Sequence, residues 1–354
     1  MIRGFHSLLV TEVCAEGDDA VSIALAVPPE LRALFAYRPG QYLTVRRSGD
    51  VSDARRSYSL CSAPVDDEWR IGIRELPGGL FSTWANRELK AGTALECMPP
   101  DGHFCPPLES AASGHYVLFA VGSGITPCLS IAKHVLATTR GQVTLLYGNR
   151  RTTSTMFRED LEDLKNRYLD RFALHCVFSR EEQDIALYHG RLDAARIETF
   201  LERLVPPETI DEAFICGPSQ MLNEVEGALL KAGLPPERIH IERFGVDDLA
   251  PVVRPEVELK TAASVIVIVD GTRRELRLND STASILDAAR AAGLDLPFSC
   301  KSGVCATCRA RVLEGEVQMA RNFGLLKSDV LAGIVLTCQA RPVTERVVLS
   351  FDER

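Results

Sequence analysis

The sequence lacks any uninterrupted apolar run of 18 or more residues, the length that a membrane-spanning helix requires. We therefore expect no membrane span and no membrane partner. It also lacks an excess of basic residues: the formal net charge is −8 at pH 7, which argues against general nucleic-acid binding. We expect no signal peptide at the N-terminus, and cysteines outside a secretory context indicate free thiols in a reducing cytoplasm.

Internal repeats and low-complexity segments are also missing from the 354 residues, which argues against a repeat architecture. Hydrophobic residues make up 46% and charged residues 25% of the chain, as in ordinary soluble globular proteins. A chain of this length predicts two or three domains.

Cysteine, in contrast, is abundant, and four of the 11 cysteines form a pattern near the C-terminus. Cys300, Cys305 and Cys308 follow the spacing C-x4-C-x2-C, and Cys338 comes after a further 29 residues. This is the spacing of a plant-type [2Fe–2S] site, which handles single electrons. Structural zinc is the alternative, although zinc sites commonly show two C-x2-C pairs, and a disulfide set would imply secretion.

The pattern of residues changes twice along the chain and predicts three domains. Residues 1–110 carry short runs separated by proline and glycine, which predicts a β-barrel. Residues 111–246 alternate strands and helices, which predicts a parallel sheet with crossover helices. Residues 247–263 show no period and contain two prolines, which predicts a linker before a compact α+β domain over 264–354.

The last domain has clear local signals. Val265–Val269 predicts a strand, Asp270-Gly271 a hairpin turn and Arg273–Leu278 the returning strand. Ser281–Ser284 offers capping side chains before a helix that starts at Ile285. This order resembles the β-grasp fold of plant-type ferredoxins. Twelve basic and eleven acidic residues give this part a charge of +1, so we expect a partner to recognise its shape more than its charge.

Two motifs within the barrel segment, each of which alone is compatible with ordinary packing or an ordinary turn, together and in this order resemble a flavin site. In Arg56-Ser57-Tyr58-Ser59, the ring of Tyr58 can stack on a flavin, the hydroxyl of Ser59 can approach its N5 atom, and Arg56 can hold a phosphate. In Gly78-Gly79-Leu80-Phe81-Ser82-Thr83, glycines and hydroxyls precede a short predicted helix. Its candidate residues Gly79, Phe81 and Ser82 would cradle a pyrophosphate at the start of the helix.

The second domain carries a glycine turn that predicts dinucleotide binding. A buried strand, Val117–Val121, leads into Gly122-Ser123-Gly124-Ile125-Thr126-Pro127 and then into a predicted helix. This arrangement lets a pyrophosphate meet backbone N–H groups, although the full G-x-G-x-x-G motif is not present. The candidate residues are Gly122, Gly124, Thr126 and Pro127.

The motifs and their order together resemble a ferredoxin–NADP reductase module followed by a plant-type ferredoxin. The chain as a whole is similar to the reductase subunits of phenylacetyl-CoA epoxidase systems. The strings that carry this similarity are Phe5-His6-Ser7-Leu8, Arg38-Pro39-Gly40-Gln41, Tyr147-Gly148-Asn149-Arg150, Phe214-Ile215-Cys216-Gly217-Pro218, Ile239-His240-Ile241-Glu242-Arg243-Phe244 and Gly303-Val304-Cys305-Ala306-Thr307-Cys308.

The resemblance implies further site residues. In such reductases the turn that matches Cys216-Gly217-Pro218 lies beside the nicotinamide, with the cysteine close to the path of the hydride. Phe244 follows a strand where family members contact the flavin again. The position of Ser179 and Arg180 implies binding of the 2′-phosphate of NADPH, which an arginine favours, and Arg150 is a second candidate.

The implied mechanism is electron transfer from NADPH to an oxygenase component. NADPH delivers a hydride to the flavin, for which Ser59, Thr126 and Cys216 are the catalytic candidates. The flavin passes electrons singly to the cluster. Resemblance favours FAD, while FMN stays open because some dioxygenase reductases with this module order contain it. We expect catalysis to rest on orientation, since no general base is evident.

The sequence also leaves alternative functions. Reductases of steroid, alkane and aromatic-ring oxygenases share this module order. A non-enzymatic redox sensor would contain the same flavin and cluster. A regulatory subunit like the electron-transfer subunits of pyrimidine synthesis is a third alternative, but the 29 residues before Cys338 argue against it.

Overall fold

The computed structural model describes residues 4–49, 54–107, 113–245, 263–278 and 283–353. The fold contains two compact units, of which the larger comprises His6–Ala54 and Tyr58–Phe244. The smaller contains Met1–Phe5, Arg55–Ser57, which includes the first two residues of a barrel strand, and the residues from Gly245 onward. None of the described helices is both long and apolar enough to cross a bilayer.

The first part of the larger unit is an antiparallel β-barrel of six strands. A bridge between Leu60 and Ile71 joins the two edge strands of the sheet order β4-β3-β6-β1-β2-β5. Residues of alternate positions, such as Leu8, Val10 and Ile23, fill its core. Its elements are β1 (His6–Ala15), β2 (Ala20–Ala26), β3 (Tyr42–Arg47), β4 (Arg56–Ser59), β5 (Trp69–Arg74), α1 (Leu80–Arg87) and β6 (Ala94–Cys97).

The second part of the larger unit is a five-stranded parallel sheet with helices. Its central strands are buried throughout, because helices cover both faces. Its elements are β7 (His115–Val121), α2 (Ile125–Thr138), β8 (Gln142–Asn149), α3 (Arg158–Arg167), β9 (Phe172–Phe178), α4 (Ala194–Arg203), β10 (Glu212–Cys216), α5 (Ser219–Lys231) and β11 (Ile239–Glu242).

The strand order of this sheet is β11-β10-β7-β8-β9. The chain therefore proceeds outward from β7 to β9 and then returns to the other side of β7. The place where the strand order reverses in this way is called the switch point. Ligands of open parallel sheets bind there, beyond the carboxyl ends of the strands. Here that point lies between Gly122, after β7, and Cys216, at the end of β10.

The barrel and the parallel sheet pack against each other within the larger unit. The hydroxyl of Ser130, on α2, donates a 2.6 Å hydrogen bond to the carbonyl of Ser62 in the barrel. The backbone N–H of Phe157 donates to the carboxylate of Glu16 over 3.0 Å. These contacts join the barrel to α2 and to the start of α3.

The smaller unit contains a mixed five-stranded sheet in the order β13-β12-β18-β14-β16, with β15 and β17 paired separately. Ser284 caps its first helix by accepting a hydrogen bond from the N–H of Asp287 over 3.1 Å. Its elements are β12 (Ala263–Val269), β13 (Thr272–Leu278), α6 (Ile285–Ala291), β14 (Arg309–Glu314), β15 (Val317–Met319), α7 (Lys327–Leu331), β16 (Ile334–Leu336), β17 (Ala340–Pro342) and β18 (Arg346–Ser350).

The predicted fold class is confirmed: an antiparallel barrel, a parallel sheet and a ferredoxin-like α+β domain follow one another. The predicted hairpin of the last domain is present, with Asp270 and Gly271 both at positive φ in the turn. The predicted linker 247–263 lies outside the described residues except for Ala263, as do the first two residues of the predicted cap 281–284. The domain boundaries and a cytoplasmic location stay predictions.

Candidate active site and cluster site

Tyr58 and the glycine turn lie at one end of the barrel, where the sequence predicts the flavin. The ring of Tyr58 is half-buried and lies 5.6 Å from the ring of Phe81, centroid to centroid. Phe81 also contacts Trp84, with 5.5 Å between the ring centroids, and is 3% exposed. The side chain of Phe81 therefore belongs to the barrel core.

The turn before α1 is held by Ser82. The N–H of Leu76 donates to Oγ of Ser82 over 3.2 Å, and this hydroxyl lies 3.4 Å from the carbonyl of Gly79. Ser82 thus fixes the loop whose backbone N–H groups open the helix. Arg56 is exposed on β4, and its guanidinium donates to the carbonyl of Arg55 over 2.7 Å.

Ser59 joins the barrel to the last strand of the parallel sheet. Its hydroxyl donates a 3.0 Å hydrogen bond to Oε2 of Glu242. Glu242 is half-buried, and desolvation of its carboxyl group raises its pKa to about 8. The hydrogen bond from Ser59 acts in the opposite direction. At neutral pH the carboxyl group therefore holds a proton.

Cys216 completes this group. It pairs with Glu242 in the register of β10 and β11, and it is fully buried. Burial raises the pKa of its thiol well above the ordinary value, and the nearby carboxylate raises it further. Cys216 is therefore a neutral thiol. Gly217 and Pro218 continue the chain into α5, and Phe244, 46% exposed, follows β11.

Gly122 and Gly124 form a tight turn at the carboxyl end of β7. A Cβ atom on Gly124 would lie 2.1 Å from the carbonyl oxygen of Cys216, so only glycine lets these two backbones approach. Thr126 is buried and donates to the carbonyl of Ser123 over 3.0 Å. Pro127 is buried in the first turn of α2, where a proline loses no helical hydrogen bond.

Ser179 and Arg180 follow β9 at the same edge of the sheet. The N–H of Ser179 donates to the carbonyl of Asn149 and the N–H of Arg180 to the carbonyl of Arg150, both over 2.9 Å. The chain after β8 thus lies directly beside the chain after β9. The side chains of Arg150 and Arg180 are both exposed there, so two positive charges stand at one edge.

The four cysteines of the smaller unit approach one another in two pairs. Hydrogen-bond contacts join Cys300 to Cys305 and Cys308 to Cys338. The cluster loop contains Lys301, Gly303 and Ala306 at positive φ. Further donors face the sulfurs: the N–H of Ser302 lies 3.4 Å from Sγ of Cys300, and Nε2 of Gln339 lies 3.5 Å from Sγ of Cys338.

Two thiol pairs are the donor set that a binuclear iron cluster requires, with two cysteines for each iron. Nitrogen donors directed at the sulfurs are the second feature of such a site, because they stabilise negative charge on the cluster and its ligands. Cys300 with Cys305 and Cys308 with Cys338 are therefore the candidate ligand pairs for a [2Fe–2S] cluster.

Comparison with protein families agrees with this geometry. Residues 8–105 match an oxidoreductase FAD-binding domain, residues 118–227 an oxidoreductase NAD-binding domain, and residues 267–343 a 2Fe-2S iron-sulfur cluster binding domain. The chain is 43% identical over 352 residues to a subunit of 1,2-phenylacetyl-CoA epoxidase from Escherichia coli strain K12, covering 99% of this chain and 98% of that protein. This chain belongs to the family of oxygenase reductases.

Other members of the family cover the chain equally well. The ferredoxin reductase component of 3-ketosteroid-9-alpha-monooxygenase from Rhodococcus rhodochrous is 36% identical over 97% of this chain and 96% of its own length. The crystal structure of phthalate dioxygenase reductase, at 24% identity, has the same fold with a TM-score of 0.60 over 98% of each chain. This reductase is thus an oxidoreductase that transfers electrons through FAD and a [2Fe–2S] cluster.

Three residues of the reductase site are not indicated by the sequence alone. Glu242 belongs to a string that carries the family resemblance, but no motif gives it a role. Arg74, at the end of β5, lies over the nucleotide turn: its Nη1 atom would be 2.5 Å from a Cβ on Gly122, and its Nη2 donates to the carbonyl of Ser154 over 2.7 Å. Neither motif nor spacing indicates this contact, because it depends on how the two domains pack.

The third such residue is Asn149, at the end of β8. It is 6% exposed, and neither its amide oxygen nor its amide nitrogen makes a hydrogen bond of ordinary geometry to any described residue. Tyr147, two residues earlier on β8, donates its hydroxyl to the carbonyl of Gly122 over 3.1 Å, which places this strand end at the nucleotide turn. A buried amide without firm partners, next to the nucleotide turn, is a group that a ligand can satisfy.

Proposed function

We propose that this reductase takes electrons from NADPH and supplies them to the oxygenase component of a phenylacetyl-CoA epoxidase. The observation that carries the proposal is the 43% identity, over almost the full length, to the matching subunit of that enzyme. The steroid-oxygenase reductase reaches 36% over a similar length. Both relatives align over almost their full length, so the electron-transfer reaction is common to them. The difference in identity therefore bears only on which oxygenase is the partner.

The barrel residues would hold FAD, which supplies the conversion of a two-electron donor into a one-electron donor. Tyr58 presents the ring that stacks on the flavin, and Arg56 offers an exposed guanidinium to a phosphate. The backbone of Gly79 and Phe81, in the turn fixed by Ser82, offers N–H groups to the pyrophosphate.

The switch point would orient the nicotinamide. Thr126 and Cys216 line the turn where Gly124 meets the end of β10, and neither side chain is charged. Glu242 holds its proton on the carboxyl group that Ser59 contacts. This keeps the surroundings of the hydride acceptor neutral. Gly217, Pro218 and Phe244, which follow β10 and β11, would contact the nicotinamide and the flavin at the same place.

The outer edge of the site would bind the rest of the nucleotide. Gly122 and Pro127 shape the turn that receives the pyrophosphate at the start of α2, and the amide of Asn149 lies beneath it. Ser179, Arg180 and Arg150 lie at the next strand ends. Their two positive charges favour a 2′-phosphate, and hence NADPH, over a free ribose hydroxyl.

Reconstitution tests the proposal. The holoenzyme is mixed with the purified oxygenase component of a phenylacetyl-CoA epoxidase, and NADPH oxidation and epoxide formation are measured together. A parallel reaction contains the oxygenase of a 3-ketosteroid-9-alpha-monooxygenase with its steroid. We expect product in proportion to NADPH only in the first reaction. Efficient coupling to the steroid oxygenase, with none to the epoxidase, would reject the assigned partner.

A further inference from the structure

A group of exposed apolar side chains stands beside the cluster loop. Among the described residues of the smaller unit, four of the five exposed large hydrophobic residues from position 263 onward fall between positions 323 and 331. They are Phe323 (43% exposed), Leu326 (50%), Val330 (42%) and Leu331 (89%). We call these four residues the apolar patch. Scattered exposed hydrophobics are normal, but a concentrated group marks an interaction site.

The apolar patch is fixed directly to the loop that carries the cluster ligands. The N–H groups of Phe323 and Gly324 both donate to the carbonyl of Gly303, over 3.0 and 3.1 Å. A Cβ on Gly324 would lie 2.8 Å from the carbonyl oxygen of Val304, so the two segments are in close contact. Gly303 and Val304 stand between Cys300 and Cys305. A partner that covers the patch therefore comes close to the cluster ligands.

The rest of the patch is carried by α7. Leu325 is buried in the core of the unit and anchors the segment from below. The carboxylate of Asp329 accepts a hydrogen bond from the N–H of Leu326 over 2.9 Å and so fixes the start of the helix. Leu331, the most exposed of the four, projects from its last turn. The surface is thus held in place by core contacts and capping.

The charged residues next to the patch are mainly basic. The backbone oxygen and Cβ of Arg321 lie 3.2 and 3.5 Å from the Cβ position of Gly303, which places this residue at the patch edge. Lys327 is exposed on α7. The carboxylate of Asp329, the acidic residue of this segment, is engaged at the helix start. A complementary partner surface has an apolar centre with carboxylates at its rim.

We propose that the apolar patch is the docking surface through which this reductase delivers electrons to its oxygenase component. The occupant is the oxygenase, with an apolar depression that receives Leu331 and Phe323 and with acidic residues that face Lys327. This inference rests on the proposed function. The new element is that apolar contact, and not charge, provides most of the affinity for the oxygenase. This agrees with the charge of +1 on this part of the chain.

The test uses holoenzyme variants Leu331→Ser and Phe323→Ser, singly and together. Leu169→Ser is the matched control, because Leu169 is 73% exposed but lies in the larger unit, between α3 and β9. For each protein we measure the reductase concentration that gives half-maximal epoxidase turnover. Ferricyanide reduction by NADPH reports the electron supply, and the electron paramagnetic resonance signal of the reduced protein reports the cluster.

We expect the double variant to need roughly tenfold more reductase for half-maximal turnover, as the loss of a buried apolar contact implies. Ferricyanide reduction and the cluster signal should stay at the wild-type level, and Leu169→Ser should match wild type in every assay. Lys327→Glu should raise the half-maximal concentration at low salt only, because its rim contact is screened at high salt. Wild-type coupling within about threefold in the double variant would overturn the proposal.

Two further results separate the alternatives. If the wild-type reductase supports no epoxidase turnover, the assigned oxygenase is wrong, and the same variants are then compared with the oxygenase that does couple. Sedimentation velocity detects a second copy of the chain on the patch. Self-association that Leu331→Ser abolishes, with unchanged coupling to the oxygenase, would assign the patch to a homodimer and overturn the proposal.

Discussion

The hydroxyl of Ser59, at the end of a barrel strand, donates a 3.0 Å hydrogen bond to the carboxyl group of Glu242, at the end of the last strand of the parallel sheet. The two residues are 183 positions apart in the sequence. This contact brings a titratable group to the place where the flavin and nucleotide domains meet. Burial raises the pKa of that group to about 8.

The first prediction concerns the pH dependence of hydride transfer. In the proposed function the hydride is delivered beside Glu242, where ionisation would place a negative charge. We therefore expect the rate of flavin reduction by NADPH to fall as the pH rises through about 8. Stopped-flow measurements at saturating NADPH would show this step. In Glu242→Gln the step should vanish. In Ser59→Ala it should move to higher pH, because the hydrogen bond that this variant loses holds the pKa of the carboxyl group down. Identical profiles in all three proteins would exclude this role.

The sequence predicted much of this fold but not this contact. Regular alternation and the Asp270-Gly271 turn located β12 and β13, since such signals are local. A motif proposed Tyr58 and Ser59 as site residues and the family resemblance proposed Cys216, and these roles stay predictions. The position of Glu242 against Ser59, and of Arg74 over Gly122, depends on how two domains pack. No local pattern encodes that packing, because its determinants are distributed over both surfaces.

The second prediction concerns stability. A raised pKa means that the folded protein binds the proton of Glu242 more tightly than the unfolded chain, whose value is 4.5. The stabilisation from this proton is therefore complete below pH 4.5 and is lost as the pH rises to about 8. Wild type should lose this stabilisation between about pH 5 and pH 8, whereas Glu242→Gln should not. The free energy of unfolding of the variant minus that of wild type should therefore rise by ~2 kcal/mol or more over this range. Chemical denaturation of both holoenzymes at equal FAD concentration measures the difference. A constant offset across this range would contradict the prediction.

The third prediction compares two glycines. A methyl group on Gly124 would lie 2.1 Å from the carbonyl oxygen of Cys216, which is backbone and cannot turn aside. We expect Gly124→Ala to lose about 1–3 kcal/mol of stability and to raise KM for NADPH about tenfold. Gly227, inside α5, has no atom within 4 Å of its Cβ position. Gly227→Ala should therefore stabilise the protein by roughly 0.5–1 kcal/mol and leave KM unchanged. Thermal unfolding and steady-state kinetics test both variants.

The fourth prediction concerns the choice of nucleotide. Arg180→Ala removes a positive charge at the edge where β8 and β9 end, and we expect KM for NADPH to rise at least about tenfold while KM for NADH changes little. Arg203→Ala, an exposed arginine at the end of α4 in the same domain, is the control and should affect neither. Equal increases for NADPH and NADH in Arg180→Ala would rule out a contact with the 2′-phosphate.

The last prediction separates binding from stability at Asn149. The buried amide has no firm hydrogen bond among the described residues, so it destabilises the nucleotide-free protein. Leucine has the same branching and number of side-chain heavy atoms as asparagine, so Asn149→Leu should stabilise that form by roughly 1 kcal/mol. If the amide binds a part common to both nucleotides, KM for NADPH and for NADH should rise by the same factor, about tenfold. Urea unfolding without nucleotide and steady-state kinetics give the two readings. A purely structural role predicts the opposite pair of results, with lower stability and unchanged KM.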